Sequence, residues 1–325
     1  MRRINLALTA ILSGLMLSFP CTPAEAQDYP TRPIRLIVPF AAGGGNDIAG
    51  RITAEKLSEA LGQQVVVDNR AGAGGIIGTS IAAKAPADGH TMLVNSISLV
   101  FNAVLHPKLP YDTLNDLAPV TMMAGAPFIV LVHPSVPAKS VGELLALARL
   151  KPGQINYASG GVGSQSHLAT ELLKLMTKVD LAHVPYKGVG PAVSSVAGGE
   201  VELVISPVVS ALPLVKAGRL RPLAVTTIER SSLFPEVPTT DEAGVPGYEF
   251  NGWYGVFVPA GTPQPIIRRL NKEMTKILTS AAVKEQFGAL GLEPAYTSPE
   301  AFGKRLRADL ETWGKVIKAS GAKVE

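Results

Sequence analysis

Short apolar runs alternate with amphipathic stretches along most of the chain. An apolar run bounded by turn residues is typical of a buried strand, and apolar residues at every third or fourth position indicate a helix. Strands are predicted on this basis at 34–39, 64–68, 91–95, 127–132, 155–158, 181–185, 201–205 and 222–226. Helical patterns lie between them, for example at 47–61 and 141–150, and the C-terminal third is mainly helical, at 263–279, 281–289 and 299–319. This alternation predicts an α/β protein with mostly parallel sheets.

The number of predicted strands exceeds what one sheet of ordinary size holds, so two lobes are expected. The first lobe would comprise residues 27–124 plus 254–325, and the second would comprise residues 125–253. The chain would then cross between the lobes twice and form a two-stranded hinge. Ligands of open α/β sheets bind beyond the carboxyl ends of the strands. Loops that follow strands in both lobes are therefore expected to face one cleft.

Two glycine-rich loops each connect a predicted strand to a predicted helix. They lie in IRLIVPFAAGGGND, residues 34–47, and in INYASGGVGSQSH, residues 155–167, and their glycine segments contain no lysine or arginine. Each loop alone also fits an ordinary strand-to-helix turn. Because a helix N-terminus carries partial positive charge and unpaired N–H donors, the pair predicts a small carboxylate held between the lobes.

The candidate ligand-binding residues lie in these loops and at the strand ends expected to face them. They are Phe40, Gly44, Gly45, Asn46, Asp47, Ser98, Ser159, Gly163 and Ser164. For Asp47 the alternative is a role as a helix cap, which is usual for an aspartate that follows glycines at a helix start.

Nucleotide binding and catalysis find little support in the motifs. None of the three glycine clusters has the G-x-G-x-x-G spacing, and the phosphate-binding G-x-x-x-x-G-K-[ST] pattern is absent. The five histidines form no metal-binding pair, and His167 is expected to brace a helix start rather than act as a base. No G-x-S-x-G elbow occurs near Ser164. No catalytic residue, metal or cofactor is therefore predicted.

The N-terminus has the pattern of a secretory signal peptide covering residues 1–26. Arg2 and Arg3 precede an apolar run, and Ala24-Glu25-Ala26 supplies the small residues of a cleavage site. Lipidation at Cys21 is the alternative, although Ser18-Phe19-Pro20 is a poor lipobox. Cys21 is the only cysteine, so the processed chain would have no disulfide, thiol nucleophile or cysteine metal site. A periplasmic location is expected.

The net charge gives no sign of a nucleic-acid partner. It is +4 and is spread along the chain without a basic run, which argues against nucleic acid. Beyond the N-terminal run, no segment approaches the length of a membrane span. A monomer is expected.

Many motifs, in order, resemble the tripartite tricarboxylate transporter substrate-binding proteins, also called the Bug family. They include YPTRPIRLIVPF with AAGGGND, VVVDNRAGAGGIIG, KAPADGHTMLV, KLPYDTLNDLAPV, VHPSVPAKS, NYASGGVGSQSHLA, HVPYKGVGPA, AGRLRPLAVTT, EVPTTDEAGVPG and WYGVFVPAGTP. The resemblance implies a two-lobed Venus-flytrap fold of the type II periplasmic binding-protein class. It also implies a ligand carboxylate held by backbone groups and ordered water between the two loops, and delivery to membrane transporter subunits. A sensor that reports to a signalling partner is the alternative, and an enzyme is the third.

Two positions depart from the family pattern. Ala42 stands where the family usually has proline before the first glycines, which should leave that loop less rigid. Ser206 stands at a strand end where many relatives carry aspartate facing the cleft. A serine cannot pair with a ligand ammonium, so a mono- or dicarboxylate is expected rather than an amino acid. Ser206 is the tenth candidate ligand-binding residue, and its hydroxyl would serve a second carboxyl, a carbonyl or a hydroxyl of the ligand. Alternatively, Ser206 only satisfies local backbone.

Overall fold

The computed structural model describes residues 29–320, so the predicted signal peptide lies outside the described residues. Its strands are β1 Ile34–Val38, β2 Val65–Asn69, β3 Thr91–Ser96, β4 Leu117–Val132, β5 Asn156–Ser159, β6 Ala182–Pro185, β7 Leu203–Pro207, β8 Arg221–Val225, β9 Asn251–Pro259 and β10 Glu293–Pro294. Its helices are α1 Gly45–Leu61, α2 Ile76–Ala83, α3 Ser98–Leu105, α4 Val141–Leu150, α5 Gln165–Thr177, α6 Val189–Ala197, α7 Val208–Lys216, α8 Gln264–Thr279, α9 Ala281–Ala289 and α10 Pro299–Ser320.

The long strand β4 belongs to both halves of a curled sheet with the order β2-β1-β3-β9-β4-β7-β5-β6. Its first part, from Leu117 to Pro127, pairs with β9, and its second part, from Phe128 to Val132, pairs with β7 and β8. Each half carries its own helices, which gives the predicted two-lobed α/β fold.

The prediction of mostly parallel sheets is confirmed for the strands away from the hinge. It is wrong for β4 and β9, the two strands that cross between the halves. Strands β1, β2 and β3 pair in parallel, and so do β5, β6 and β7. Every pairing that involves β4 or β9 is antiparallel, so the sheet is mixed. The reason is that β4 carries the chain out of the first half and β9 carries it back. The strands therefore run in opposite directions.

The change of partner along β4 falls between Pro127 and Phe128, near the predicted first crossing at 124/125. The second predicted crossing, at 253/254, falls within β9. The lobe boundaries themselves remain a prediction.

Helix α10 packs beside the two crossing strands. The Trp253 indole on β9 donates a hydrogen bond to Asp309 at 2.8 Å, and the Trp313 ring meets Phe101 of α3 edge-on with 4.9 Å between centroids. Phe128 and Phe250 pack in the same way, 4.9 Å apart. Burial of each such side chain contributes about 1.5–3 kcal/mol, so the C-terminal helix supports the hinge from which both lobes extend.

Candidate functional site

A small cleft lies between the two glycine loops and is lined by residues from both halves of the sheet. Its lining is made of Phe40, Gly44, Gly45, Asn46, Ser98, Gly160, Ser164, Gln165, Ser166, Val189, Pro207 and Tyr254. Among these described residues there is no aspartate, glutamate, lysine, arginine or histidine.

Five helix N-termini meet at this cleft. Helices α1, α3, α5 and α6 begin at Gly45, Ser98, Gln165 and Val189, and α7 follows Pro207. Each terminus contributes N–H groups without an intrahelical acceptor and the positive end of a helix dipole. The cleft is therefore suited to an anion although its lining has no basic side chain.

The first loop is held from beneath by Asp47. Its carboxylate accepts hydrogen bonds from the Gly43 N–H at 3.0 Å, from the Asn69 amide at 3.0 Å and from Arg51 at 2.9 Å. Burial raises the pKa of Asp47, but the hydrogen bonds from Arg51, Gly43 and Asn69 outweigh burial and hold it below its usual value. Asp47 thus fixes the loop from inside the helix and lies outside the lining. It is the third residue of α1, whose N-cap is Gly44 without a side-chain cap, so the expectation of an N-cap at Asp47 is wrong.

The second loop has a cap of its own. The Ser164 hydroxyl is the N-cap of α5, accepting from the His167 N–H at 3.4 Å, and it lies 3.2 Å from the Ser166 hydroxyl. The Ser166 hydroxyl in turn accepts from the Gly160 N–H at 2.9 Å. The Gly163 N–H donates to Nδ1 of His167 at 3.3 Å, and Gly163 has φ +78°, which favours glycine.

Direct contacts join the two halves beside the cleft. The Ser98 hydroxyl on α3 accepts from the Gln165 N–H at the start of α5, at 3.0 Å. The Ala41 N–H donates to the Lys187 carbonyl at 3.1 Å. The halves therefore close on each other around the cleft, and Ser98 already occupies one of the α5 donors.

Three polar atoms of lining residues are buried without a hydrogen-bond partner in the described part of the chain. They are the Tyr254 hydroxyl, Oδ1 of Asn46 and Oε1 of Gln165. Burial raises the pKa of Tyr254 strongly, and the nearby Gln165 side chain lowers it only in part. A buried polar group without a partner costs about 1–3 kcal/mol, which a polar ligand in the cleft would relieve.

Six of the ten candidate residues line the cleft, and four lie behind it. The four are Asp47, Ser159, Gly163 and Ser206. The Ser159 hydroxyl accepts from the Gly161 N–H at 3.1 Å. The Ser206 hydroxyl is fully buried and donates to the Pro207 carbonyl at 3.0 Å, so it satisfies local backbone, the alternative that the sequence left open. A ligand contact by any of the ten stays a prediction.

Six lining residues were not predicted: Gly160, Gln165, Ser166, Val189, Pro207 and Tyr254. Gly160, Gln165 and Ser166 lie in the second glycine motif and could have been included from it. Tyr254 carries no such signal, because it reaches the cleft from the middle of the crossing strand β9. Within residues 29–320, no group of three or more metal-binding side chains stands together.

The chain matches the model of the tripartite tricarboxylate transporter family receptor over residues 49–322. It is 40% identical over 305 residues to Protein BugT of Bordetella pertussis, covering 93% of this chain and 94% of that protein. The structure of R. palustris Rpa4515 with adipate is similar with a TM-score of 0.89 at 39% identity, covering 91% of this chain and 100% of that one. MatC (Rpa3494) from Rhodopseudomonas palustris with bound malate gives 0.85 at 31% identity, covering 89% and 100%. The chain therefore belongs to the tripartite tricarboxylate transporter receptor family, which includes the Bug proteins, as its motifs predicted.

Proposed function

We propose that this protein is an extracytoplasmic solute-binding protein. It captures a small mono- or dicarboxylate between its lobes and delivers it to a tripartite tricarboxylate-type membrane transporter. The observation that carries the proposal is the meeting of five helix N-termini at one cleft without charged side chains.

The electrostatics of the cleft favour a carboxylate over an amino acid. A negative charge near a helix N-terminus gains about 0.3–1 kcal/mol at an exposed site and up to about 2 kcal/mol when partly buried. An ammonium group would need an acidic partner, and the described lining offers none. The adipate and malate bound in the two similar structures agree with this preference.

Location and partner rest on the family and on the N-terminal pattern. Among the described helices, none is long and apolar enough to cross a membrane. We place the processed protein in the periplasm, released by cleavage after Ala26, as a monomer without a cofactor, nucleic-acid partner or catalytic activity. The alternative is a sensor that reports to a signalling partner, and a neighbouring pair of genes for membrane transporter subunits would favour transport.

A ligand screen tests the proposal directly. At a hundredfold excess over the dissociation constant, a ligand that binds only the native state stabilises it by about 2.7 kcal/mol. For a chain of this size we expect the melting temperature to rise by about 5 °C with adipate, malate or another small carboxylate. Amino acids should cause no comparable shift. A response to amino acids alone, or turnover of a carboxylate by the purified protein, would contradict the proposal.

Ser164→Ala is expected to weaken carboxylate binding by about tenfold, because it removes a hydroxyl donor at the mouth of α5. It also removes a helix cap, which costs about 1 kcal/mol of stability. Ser140→Ala is the matched control, since Ser140 caps α4 by accepting from the Glu143 N–H at 3.1 Å and lies outside the cleft lining. Calorimetric titration should show lower affinity in Ser164→Ala only, while thermal unfolding changes similarly in both. Equal affinities would place the ligand elsewhere.

A further inference from the structure

The two glycine loops are held by the same kind of hydrogen bond, but the acceptor group differs between them. In each, the side chain at the third helical position accepts a hydrogen bond from a glycine N–H four residues earlier. In the first loop the acceptor is the Asp47 carboxylate, which receives the Gly43 N–H. In the second it is Nδ1 of His167, which receives the Gly163 N–H. An imidazole nitrogen accepts only while it carries no proton, so the second loop depends on the neutral form of His167.

A stack of three rings fixes His167 in place. Its ring lies 4.5 Å from that of His183 at 25°, and His183 lies 4.7 Å from Tyr157 at 13°. The rings come from α5, β6 and β5, beneath the second loop. Nε2 of His183 contacts the Ser159 hydroxyl, which accepts the Gly161 N–H. Two N–H groups of the loop are thus tied to the histidine pair.

Two charged groups face the stack, and they pair with each other. The Glu171 carboxylate accepts from the Tyr157 hydroxyl at 2.6 Å and from Lys174 at 2.8 Å, and Lys174 lies 5.6 Å from the centroid of the Tyr157 ring. Burial lowers the pKa of His167 to about 4, with Glu171 opposing and Lys174 adding to the effect. Burial, His167 and Lys174 lower the pKa of His183 to about 4, against Glu171.

We propose that His167 is a positioning residue for the ligand: its neutral imidazole sets the second loop in the geometry that binds a carboxylate, and binding selects the deprotonated form. A proton on Nδ1 would point a donor at the Gly163 N–H, and the two donors would repel. The segment from Gly160 to Ser164, which presents the mouth of α5 to the cleft, would then lose its support. This inference rests on the proposed carboxylate-binding function.

Two substitutions distinguish the role of the acceptor nitrogen of His167 from the role of its aromatic ring. His167→Asn keeps a neutral acceptor near the position of Nδ1 and removes the stacked ring. His167→Phe keeps a ring and removes the acceptor. With adipate and malate as probes at pH 7.5, calorimetry should give His167→Asn an affinity within about threefold of wild type and His167→Phe an affinity about tenfold lower. The reverse order would show that the ring alone matters and would overturn the proposal.

The pH profile provides a readout that packing alone would not change. Both acids titrate in the same range, so the ratio of wild-type to His167→Asn affinity is compared at each pH. This ratio should be constant well above the pKa of His167 measured by NMR, fall by about half at that pH, and fall about tenfold for each further unit. Circular dichroism at each pH identifies the range in which both proteins are folded. A ratio that stays flat as the pH passes through the pKa of His167, with both proteins folded, would count against the proposal.

The thermodynamic linkage between ligand binding and the protonation of His167 provides a test that needs no substitution. If a carboxylate binds only the deprotonated form, saturating adipate must lower the pKa of His167. NMR titration of the imidazole protons, with and without adipate, should show a decrease of at least about one pKa unit. An unchanged pKa in the complex would overturn this inference and leave carboxylate binding intact. Failure of the wild type to bind any small carboxylate at pH 7.5 would instead contradict the proposed function.

Discussion

Gly45→Ala is expected to reduce carboxylate binding at least about a hundredfold, which corresponds to about 2.7 kcal/mol. Gly45 is the first residue of α1 and lines the cleft, and a Cβ there would overlap the hydroxyl of Tyr254 on the hinge strand. Either the tyrosine moves into the ligand space or α1 moves away from it. Calorimetric titration with adipate and malate measures the loss.

Gly50→Ala is the matched control on the same helix. A Cβ at Gly50 would make only ordinary contacts, 3.5 Å from Val38 and 3.6 Å from Val94. This variant should fold and bind like wild type, because an alanine inside a helix is favourable where there is room. Wild-type affinity in Gly45→Ala would show that the ligand does not need the first loop. Glycine is needed at position 45 because a larger residue has no space there. The left-handed backbone conformation that favours glycine occurs at Gly43 instead, with φ +82°.

Tyr254→Phe is expected to lower affinity by about ten- to hundredfold without destabilising the protein. Its hydroxyl is fully buried and forms no regular hydrogen bond among residues 29–320, with only the Gln165 side chain as a polar neighbour, so its removal costs the ligand-free fold little. A charge-assisted hydrogen bond to a carboxylate contributes about 1.5–3 kcal/mol, and the variant would lose it. Calorimetry and thermal unfolding of the ligand-free protein measure the two effects.

Tyr248→Phe should behave in the opposite way. The Tyr248 hydroxyl is also buried, but it donates to the Ala169 carbonyl at 2.8 Å and lies outside the cleft lining. Its removal should destabilise the fold by about 1 kcal/mol and leave affinity unchanged. If Tyr254→Phe loses stability and keeps affinity, its hydroxyl has a structural role and does not contact the ligand.

The sequence alone determined eight of the ten strands and the position of both glycine loops, whereas β9 and β10 were not predicted as strands and β4 begins at Leu117, ten residues before its predicted start. Helix α4 at 141–150 and α9 at 281–289 match the prediction, and β1, β5 and β7 are displaced by at most two residues. These elements are readable because apolar periodicity and turn residues act over a few neighbouring positions. The motifs also placed the chain in its family, because they occur in order along nearly its whole length.

Only the tertiary structure decided which groups meet in the cleft and which support it from behind. Asp47, Gly163 and Ser206 belong to motifs that pointed to the ligand, yet their polar groups are used by neighbouring atoms of the loops. Tyr254 lines the cleft, although nothing near it in the sequence marks a site, and at the end of β7 it is Pro207 and not the singled-out Ser206 that does so. The antiparallel pairing of the hinge strands could not be predicted from the sequence either. Contacts among β4, β9 and five helix N-termini join residues far apart in the chain, and local patterns carry no record of which distant segments become neighbours.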